Sequence, residues 1–218
     1  MASIRKKLAT NVNDSKNTRM DIAGAGVMAN WRPDELAHIS RFCKIGQIIM
    51  QDVSIDKSNC LENTKGWSSV FSCLNKARFG ISWGVLGAAS ECWLIAKDYV
   101  ENRIMFKKPL AANQLIQKKL ADIQTEINLG LAACNLTAKA MDKNQDIINA
   151  LSIIKRNNCK KSLEIARNCR DMLGANGLIE DYHIMRHLVN LETVKTYEGA
   201  ENIHTLILGK GQTGIASF

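Results

Sequence analysis

Residues 114 to 141 read QLIQKKLADIQTEINLGLAACNLTAKAM, and this stretch indicates the fold class more clearly than any other. Its apolar or small side chains recur at spacings of three and four, at Ile116, Leu120, Ile123, Ile127, Leu131, Cys134, Ala138 and Met141. This is the period of one face of an α-helix, and Lys118, Asp122 and Glu126 fall on the opposite face. The stretch therefore predicts a long amphipathic helix with one buried face.

Further segments on either side of this stretch show the same helical period. Helices are predicted from Trp67 onward, from about Gln145 to Leu173, over roughly Ile179 to Lys195, and over a shorter span after Gly199. In the first of them the core face is expected at residues 70, 74, 77, 81, 84, 88, 92, 95 and 99. In the third it is expected at Leu151, Ile154, Cys159, Leu163, Ala166 and Cys169. Long helices with short links predict an all-α fold, an antiparallel four-helix bundle.

The region before the bundle is harder to interpret. Residues 47 to 55 show partial alternation and β-branched side chains, which predict a strand. One or two lone strands cannot form a stable sheet, so the strand either packs on the helices or is the remainder of a larger sheet. Residues 1 to 43 show no sustained periodicity before Pro33, where a short helix is expected to begin.

Composition supports a helical domain and narrows the classes of ligand. The chain has 218 residues, is 46% hydrophobic and contains 2 prolines and 14 glycines, which argues against disorder and against a turn-rich β fold. The formal charge is +8, but the basic residues are scattered and aromatic content is 6%. A solvated basic face, or a phosphorylated ligand such as CoA or a dinucleotide, fits this pattern better than nucleic acid does.

Residue patterns also bear on disulfides, membrane spans and metal sites. The seven cysteines are odd in number and include no C-x-x-C pair, so reduced thiols are expected. The apolar run between Arg78 and Lys97 is long enough to suggest a membrane span. Glu91 and the lack of a second span favour a core helix instead. His183 and His187 lie four residues apart, yet no further ligand follows at a recognised spacing, so no metal site is expected.

Four separated motifs resemble one family of enzymes. They are CLNKARFGISWG at residues 73–84, PLAANQLIQKKLAD at 109–122, RDMLGANG at 170–177 and TYEGAENIH at 196–204. In this order and at these separations they are similar to acyl-CoA dehydrogenases, in particular to the glutaryl-CoA dehydrogenase type. The resemblance runs from about Ile45 to Phe218.

The resemblance implies a division of the chain into three parts. In the family, a helical domain and a complete middle β-domain precede the matching region. We therefore expect an unassigned segment over residues 1–43, a remnant of the β-domain over 44–66 and the C-terminal helical domain over 67–218. A truncated, catalytically silent fragment that only oligomerises stays open as an alternative.

The resemblance also implies the catalytic residue. A carboxylate must remove the α-proton of the acyl-CoA, and Glu198 occupies the position of that base. Gly199 follows it and would let substrate approach the backbone closely. In the family the backbone N–H of this glutamate also binds the thioester oxygen, as an oxyanion hole does.

FAD is the implied cofactor. The residues placed near it by the resemblance are Arg103, Phe106, Gln114, Asp171, Met172, Leu173, Gly174, Ala175, Ala200 and Phe218. Arg103 would reach the pyrophosphate of a neighbouring subunit's FAD, and the backbone of 171–175 would approach the adenosine side. Lys107 and Ala175 replace glycines usual in the family, and Ala200 replaces a threonine. If position 175 needs a positive φ or close approach, Ala175 would weaken flavin binding.

The implied substrate is an acyl-CoA, with glutaryl-CoA preferred. The channel would be lined by Phe71, Ser72, Cys73, Leu74, Asn75, Lys76, Ala77 and Arg78, with Gly199 beside the reacting end. Asn75 and Arg78 would supply the polar contacts, although Arg78 alone is also compatible with a surface charge. The reaction would be oxidative decarboxylation to crotonyl-CoA in lysine and tryptophan catabolism; another short acyl-CoA is the alternative.

The resemblance extends to partners and compartment. A homotetramer that shares its FAD sites between subunits is expected, with electron-transfer flavoprotein as the electron acceptor. The first twenty residues carry five basic residues against Asp14, a bias typical of mitochondrial transit peptides. Localisation in the mitochondrial matrix is expected on that basis.

Overall fold

The computed structural model describes residues 27–30, 47–50, 53–54, 56–59, 62–64 and 66–217. The helix expected from Pro33 and the cofactor position Phe218 lie outside the described residues. The chain divides into two units, one of Met1–Ala37 with Phe42–Ser69 and the other of His38–Arg41 with Val70–Phe218. The three-part division expected from the sequence stays a prediction.

The all-α fold class is confirmed. The described residues form five α-helices, which are α1 (Trp67–Asn102), α2 (Gln114–Asp142), α3 (Ile148–Met172), α4 (Ile184–Thr196) and α5 (Glu201–Thr213). The expected helix start at Ile179 is wrong by five residues. Glu180–Tyr182 form a 3-10 turn, and His183 takes a left-handed conformation with φ +57° that ends the turn before α4 begins.

Two short antiparallel strand pairs accompany the helices. Strand β1 (Val27–Asn30) pairs with β2 (Gln47–Met50), with Val27 opposite Met50. The sequence predicted β2, although over a longer range, and missed β1. Its four residues alternate too little to be distinguished from a loop.

A two-residue hairpin connects α1 to α2. Strand β3 (Ile104–Met105) pairs with β4 (Lys108–Pro109), and the loop residues Phe106 and Lys107 have φ +51° and +65°. Tight hairpins favour two left-handed residues because their twist matches that of the strands. Lys107 thus adopts the left-handed conformation in place of the glycine usual in the family, at a cost of about 1 kcal/mol for a side chain in this region.

The hydrophobic core is centred on α3. All six residues predicted for its core face are 3% exposed or less, so that prediction is confirmed. Side chains from α1, α2 and α4 join the same cluster, including Cys92, Ile123 and Leu191. Helix α5 packs against α3 as well.

The predicted core face of α1 is only partly confirmed: Cys92 is buried, and Ile81, Ala88, Ile95 and Tyr99 are half-buried against the core. Of its nine positions only Cys92 is fully buried, whereas the buried residues are Ser82, Val85, Leu86, Ala89, Cys92, Ala96 and Val100. The true face is rotated from the predicted one because α1 is apolar around most of its circumference. In such a helix the period alone does not select the side that packs.

A buried polar contact ties three helices together. The Asn158 side-chain amide on α3 donates to the Ser82 carbonyl on α1 at 3.2 Å and lies 3.2 Å from the Cys134 sulfur on α2. Burial raises the pKa of the Cys134 thiol to about 11. The amide therefore meets a neutral thiol and a carbonyl, and fixes the rotation of the three helices about their axes.

The cysteines of the described part are free thiols, as expected. Cys92, Cys134, Cys159 and Cys169 are buried, and Cys73 is exposed. Burial raises the pKa of Cys92 to about 12. These buried thiols stay protonated and unreactive at neutral pH.

Helix α1 has the length and apolar character of a membrane span, and no other described helix does. Its inner face lies in the hydrophobic cluster, where Cys92, Ala96 and Val100 are fully buried. Its outer face carries the Lys97–Glu101 ion pair. We assign α1 to the core of the bundle on these contacts.

Candidate active site

The turn between α4 and α5 has an unusual backbone. Glu198 has φ +55° and Gly199 has φ +93°, so two successive residues lie in the left-handed region. Ala200 returns to an extended conformation and caps the start of α5. A non-glycine residue at positive φ is uncommon and is often found at functional sites. The turn presents Glu198 just before the helix, where the sequence placed it.

Two polar groups of Glu198 have no hydrogen-bond partner among the described residues. Its Oε2 atom is buried and makes no hydrogen bond with any described residue. Its backbone N–H also has no acceptor in the described part of the chain. Buried polar groups are nearly always paired, and an unpaired one calls for an explanation such as a ligand. A free carboxylate oxygen beside a free N–H can take a proton and bind an oxygen of the same ligand.

Arg78 holds the carbonyl of Glu198. Its Nε atom donates to that carbonyl at 2.9 Å, and Nη1 donates to Asn75 Oδ1 at 3.2 Å. Burial lowers the pKa of Arg78, and the Glu198 carboxylate opposes that effect. The surface-charge alternative for Arg78 is therefore wrong. The contact with the base-bearing turn was not predicted, because the two residues are 120 positions apart.

Lys155 is a site residue that sequence reasoning missed. It is 1% exposed, and its ammonium donates to the carbonyls of Val194 at 2.8 Å, Tyr197 at 3.1 Å and Gly199 at 3.5 Å. It also lies 5.8 Å from the centre of the Tyr197 ring. The available signal was its place among the buried residues of α3, four after Leu151 and four before Cys159.

His204 lies directly under Gly199. The ring is fully buried, and Nδ1 is 3.2 Å from the Ser152 hydroxyl. A Cβ atom at Gly199 would lie 2.9 Å from Nε2 of His204 and 3.3 Å from Nη2 of Arg78. Gly199 is thus required by packing inside the protein as well as by its φ angle. Close approach of substrate, the reason predicted from the sequence, is therefore not the only one.

Burial keeps His204 neutral. Burial first, and then the charges of Arg78 and Lys155, lower the pKa of His204 from 6.5 to about 4. The Nε2 atom makes no geometrically acceptable hydrogen bond with the described residues, although the nearby backbone of Glu198 and Gly199 favours the protonated form. Desolvation outweighs that help, so the ring is uncharged at neutral pH.

Stability is expected to depend on pH through His204. Its folded-state pKa lies below the unfolded value, so its stabilising contribution is complete above about pH 6.5 and is lost as pH falls toward 4. The free energy of unfolding should fall by about 2 kcal/mol between pH 7.5 and 5 relative to a His204→Asn variant. Urea titrations of both proteins across this range measure the difference. A difference that does not change with pH would contradict the low pKa of His204.

The predicted substrate segment lies partly in this site. Asn75 and Arg78 are half-buried beside the Glu198 turn, and Leu74 and Ala77 are half-buried as well. The others are exposed: Phe71, Ser72, Cys73 and Lys76. One face of the first turns of α1 therefore borders the turn, and the opposite face is accessible.

The predicted cofactor residues at the α1–α2 junction are accessible. Phe106 is 93% exposed. Arg103 and Gln114 are exposed, and their side chains make no ion pair or hydrogen bond with the described residues. An unpaired guanidinium and amide beside an exposed aromatic ring fit a ligand with phosphate and aromatic parts, as FAD has.

The second segment predicted to contact the cofactor, residues 171–175, lies at the C-terminal end of α3. Asp171 forms an ion pair with Lys119, so this segment lies at the same end of the bundle as the α1–α2 junction. The side chains of Met172 and Leu173 are 4% and 2% exposed and belong to the core. Only their backbone is left for a cofactor contact, as the resemblance implied for this segment.

Position 175 needs no positive φ. Gly174 has φ +58°, whereas Ala175 lies in the 3-10 turn Gly174–Leu178 and its side chain is exposed. The conformational reason for which Ala175 would weaken flavin binding is therefore wrong. The left-handed residue comes one position earlier and is a glycine.

The two groups of residues lie at opposite ends of the bundle. Helix α1 rises about 1.5 Å per residue, so Arg78 and Arg103 are separated by roughly 37 Å along it. Glu198 lies at the Arg78 end, beside the N-terminal part of α3, and Asp171 lies at the opposite end of α3. One chain thus presents a carboxylate site at one end and exposed cofactor candidates at the other.

The fold and the turn together define a helical-bundle domain with a candidate base where its last two helices meet. The family model described as "Acyl-CoA dehydrogenase, C-terminal domain" matches residues 64–213. This chain belongs to the acyl-CoA dehydrogenase family. The family is FAD-dependent.

Relatives with different substrates are similar to the chain. Glutaryl-CoA dehydrogenase from Mycobacterium smegmatis in complex with FADH2 is 35% identical with a TM-score of 0.83, over 91% of this chain and 51% of that one. The short-chain-specific acyl-CoA dehydrogenase of Megasphaera elsdenii is 30% identical over 168 residues, 75% of this chain and 43% of the relative. The caffeyl-CoA reductase-Etf complex subunit CarC of Acetobacterium woodii is 26% identical over 201 residues, 89% of this chain and 52% of the relative. The chain spans about half the length of these relatives.

Proposed function

We propose that this chain supplies the catalytic base, Glu198, in the FAD-dependent oxidation of an acyl-CoA, with glutaryl-CoA as substrate. The observation that carries the proposal is that the buried Glu198 Oε2 and the backbone N–H of the same residue both have no hydrogen-bond partner in the described part of the chain. Such a pair suits an acyl thioester, which has an acidic α-proton next to an oxygen that gains negative charge as the proton leaves.

Each residue of the turn has a defined part in this chemistry. The Glu198 carboxylate accepts the α-proton, and the Glu198 N–H donates to the thioester oxygen as charge develops there. Arg78 binds the Glu198 carbonyl, which belongs to the next peptide group, and so helps to hold the backbone of the turn in place. When bound, FAD accepts the hydride, with its electron pair, from the β-carbon.

The glutaryl substrate adds a second step. After the α,β-dehydrogenation, the distal carboxylate leaves as carbon dioxide, and the carbon that bore it gains a proton, giving crotonyl-CoA. Support for this substrate is the 35% identity to a glutaryl-CoA dehydrogenase over 91% of the chain. A dehydrogenase for another short acyl-CoA is the competing assignment, supported by the 30% identity to a short-chain-specific enzyme.

The distance between the two ends of the bundle supports a shared site. The candidate cofactor residues near Arg103 lie roughly 37 Å along α1 from the Glu198 end, too far to join Glu198 around one reacting centre. We propose a homotetramer in which they contact the FAD of a neighbouring subunit. Residues Arg103, Phe106 and Gln114 would hold that FAD, with the backbone of 171–175 near its adenosine side.

The electron acceptor and the compartment complete the proposal. Electron-transfer flavoprotein is the proposed acceptor, supported by a relative whose name places it in a complex with Etf. The mitochondrial matrix is the proposed compartment, supported by the basic bias of the first twenty residues.

An absorbance experiment tests the function. The purified protein is incubated with FAD, desalted and mixed anaerobically with glutaryl-CoA or butyryl-CoA. Retained flavin that is bleached by glutaryl-CoA, and more slowly by butyryl-CoA, is the expected result. Faster bleaching by butyryl-CoA would reassign the substrate. Absence of retained flavin would make the chain a catalytically silent fragment of its family.

A further inference from the structure

The carbonyls of the base-bearing turn are held by two cations, the buried Lys155 and the half-buried Arg78. Lys155 binds the carbonyls of Tyr197 and Gly199, and Arg78 binds the carbonyl of Glu198 between them. Three consecutive carbonyls are thus directed toward positive charge. The peptide N–H of Glu198 is left without an acceptor in the described part of the chain, which is the arrangement an oxyanion site needs.

Lys155 has a carbonyl acceptor for each donor of its ammonium group. It has three N–H donors and faces three carbonyl oxygens, the third being that of Val194 in the last turn of α4. A cation at the end of a helix also interacts favourably with the helix dipole. Lys155 therefore joins the end of α4 to both residues that flank Glu198.

We infer that Lys155 is a positioning residue whose ammonium fixes the Tyr197–Gly199 turn and thereby the Glu198 carboxylate and N–H. The catalytic consequence of this inference rests on the proposed function. The structural part, that Lys155 fixes the turn, does not. Lys155 is 1% exposed and lies behind the turn, so it does not reach substrate. A turn with two left-handed residues is strained, and three carbonyl contacts supply the constraint that keeps it in one conformation.

Backbone dynamics test the inference without any activity. In Lys155→Met the apolar stem is retained and the three donors are lost. We expect the ¹⁵N order parameters of Glu198 and Gly199 to fall from about 0.85, typical of rigid backbone, to below about 0.6. The matched control is Lys161→Met on the same helix, whose half-exposed ammonium pairs with Glu126 at 3.1 Å. That control should leave both values unchanged, and Lys155→Arg should restore part of the rigidity.

Kinetics separate positioning from a merely structural role. With FAD and acyl-CoA, Lys155→Met should lower kcat about 100-fold, the usual cost of a displacement of about 1 Å, and change KM less than about threefold. Unchanged order parameters of Glu198 and Gly199 in folded Lys155→Met would overturn the inference. A fall in order parameters that is confined to α4 would overturn it as well. If Lys155→Met does not fold, Lys155→Gln, which keeps two donors without the charge, decides by the same comparison. If acyl-CoA does not reduce the FAD bound to the unmodified chain, the proposed function fails. The order parameters still decide the role of Lys155 in that case.

Discussion

Replacing Glu198 by glutamine is expected to lower the rate of flavin reduction by roughly 1000-fold, within the range that a general base contributes. Glutamine has nearly the same shape, but its amide cannot accept the α-proton. The fold should be unaffected, because Oε2 of Glu198 has no partner to lose among the described residues. Stopped-flow absorbance of the FAD-loaded protein with glutaryl-CoA measures the rate.

The control is a carboxylate of the same type away from the turn. Glu192 lies on α4, is 53% exposed and pairs with Arg167. Glu192→Gln should leave the rate of flavin reduction within about twofold and change the free energy of unfolding by less than about 1 kcal/mol. If Glu198→Gln keeps more than a tenth of the unmodified rate, Glu198 is not the base.

Replacing Gly199 by alanine is expected to lower the free energy of unfolding by about 3 kcal/mol. Part of the cost is the left-handed backbone, φ +93°, where a Cβ atom is disfavoured by about 1–2 kcal/mol. The remainder is overpacking, since the added Cβ would lie 2.9 Å from His204 Nε2 and 3.3 Å from Arg78 Nη2. Both neighbours are held by contacts of their own, so neither moves freely. Urea denaturation measures the loss.

Two further variants identify the cause of that loss. Gly209 lies in the interior of α5 with open space where its Cβ would be, so Gly209→Ala should raise the free energy of unfolding by about 0.5–1 kcal/mol. In a His204→Ala background the cost of Gly199→Ala should fall by about 1 kcal/mol, since the overpacking is relieved and the backbone term stays. An unchanged cost in that background would mean that His204 is not the obstacle.

Local patterns predicted much of the fold. The spacing of three and four in α2 and α3 placed the ends of these helices within about three residues and identified the buried face of α3. The four motifs predicted the family, because each is a run of adjacent residues that needs no knowledge of the fold. Where the pattern was weak, as in β1 and the 3-10 turn before α4, the elements or their bounds were missed.

The candidate site was predicted only at its centre. Glu198, Gly199 and Arg78 were identified from motifs, but the bond from Arg78 to the Glu198 carbonyl was not. Lys155 and His204 were missed, since a lysine in a helix reads as a solvated charge and a histidine near an apolar stretch reads as packing. Their partners lie about 40 to 50 residues away in the sequence.

The sequence by itself determined the all-α class, the helical segments and the family, because hydrophobic period and short motifs are properties of neighbouring residues. Only the tertiary structure decided which face of α1 is buried, and that Arg78 and Lys155 converge on one turn. It also placed the buried, uncharged His204 beneath Gly199. The physical reason is that burial and hydrogen bonding depend on groups from distant parts of the chain, which a linear pattern does not bring together.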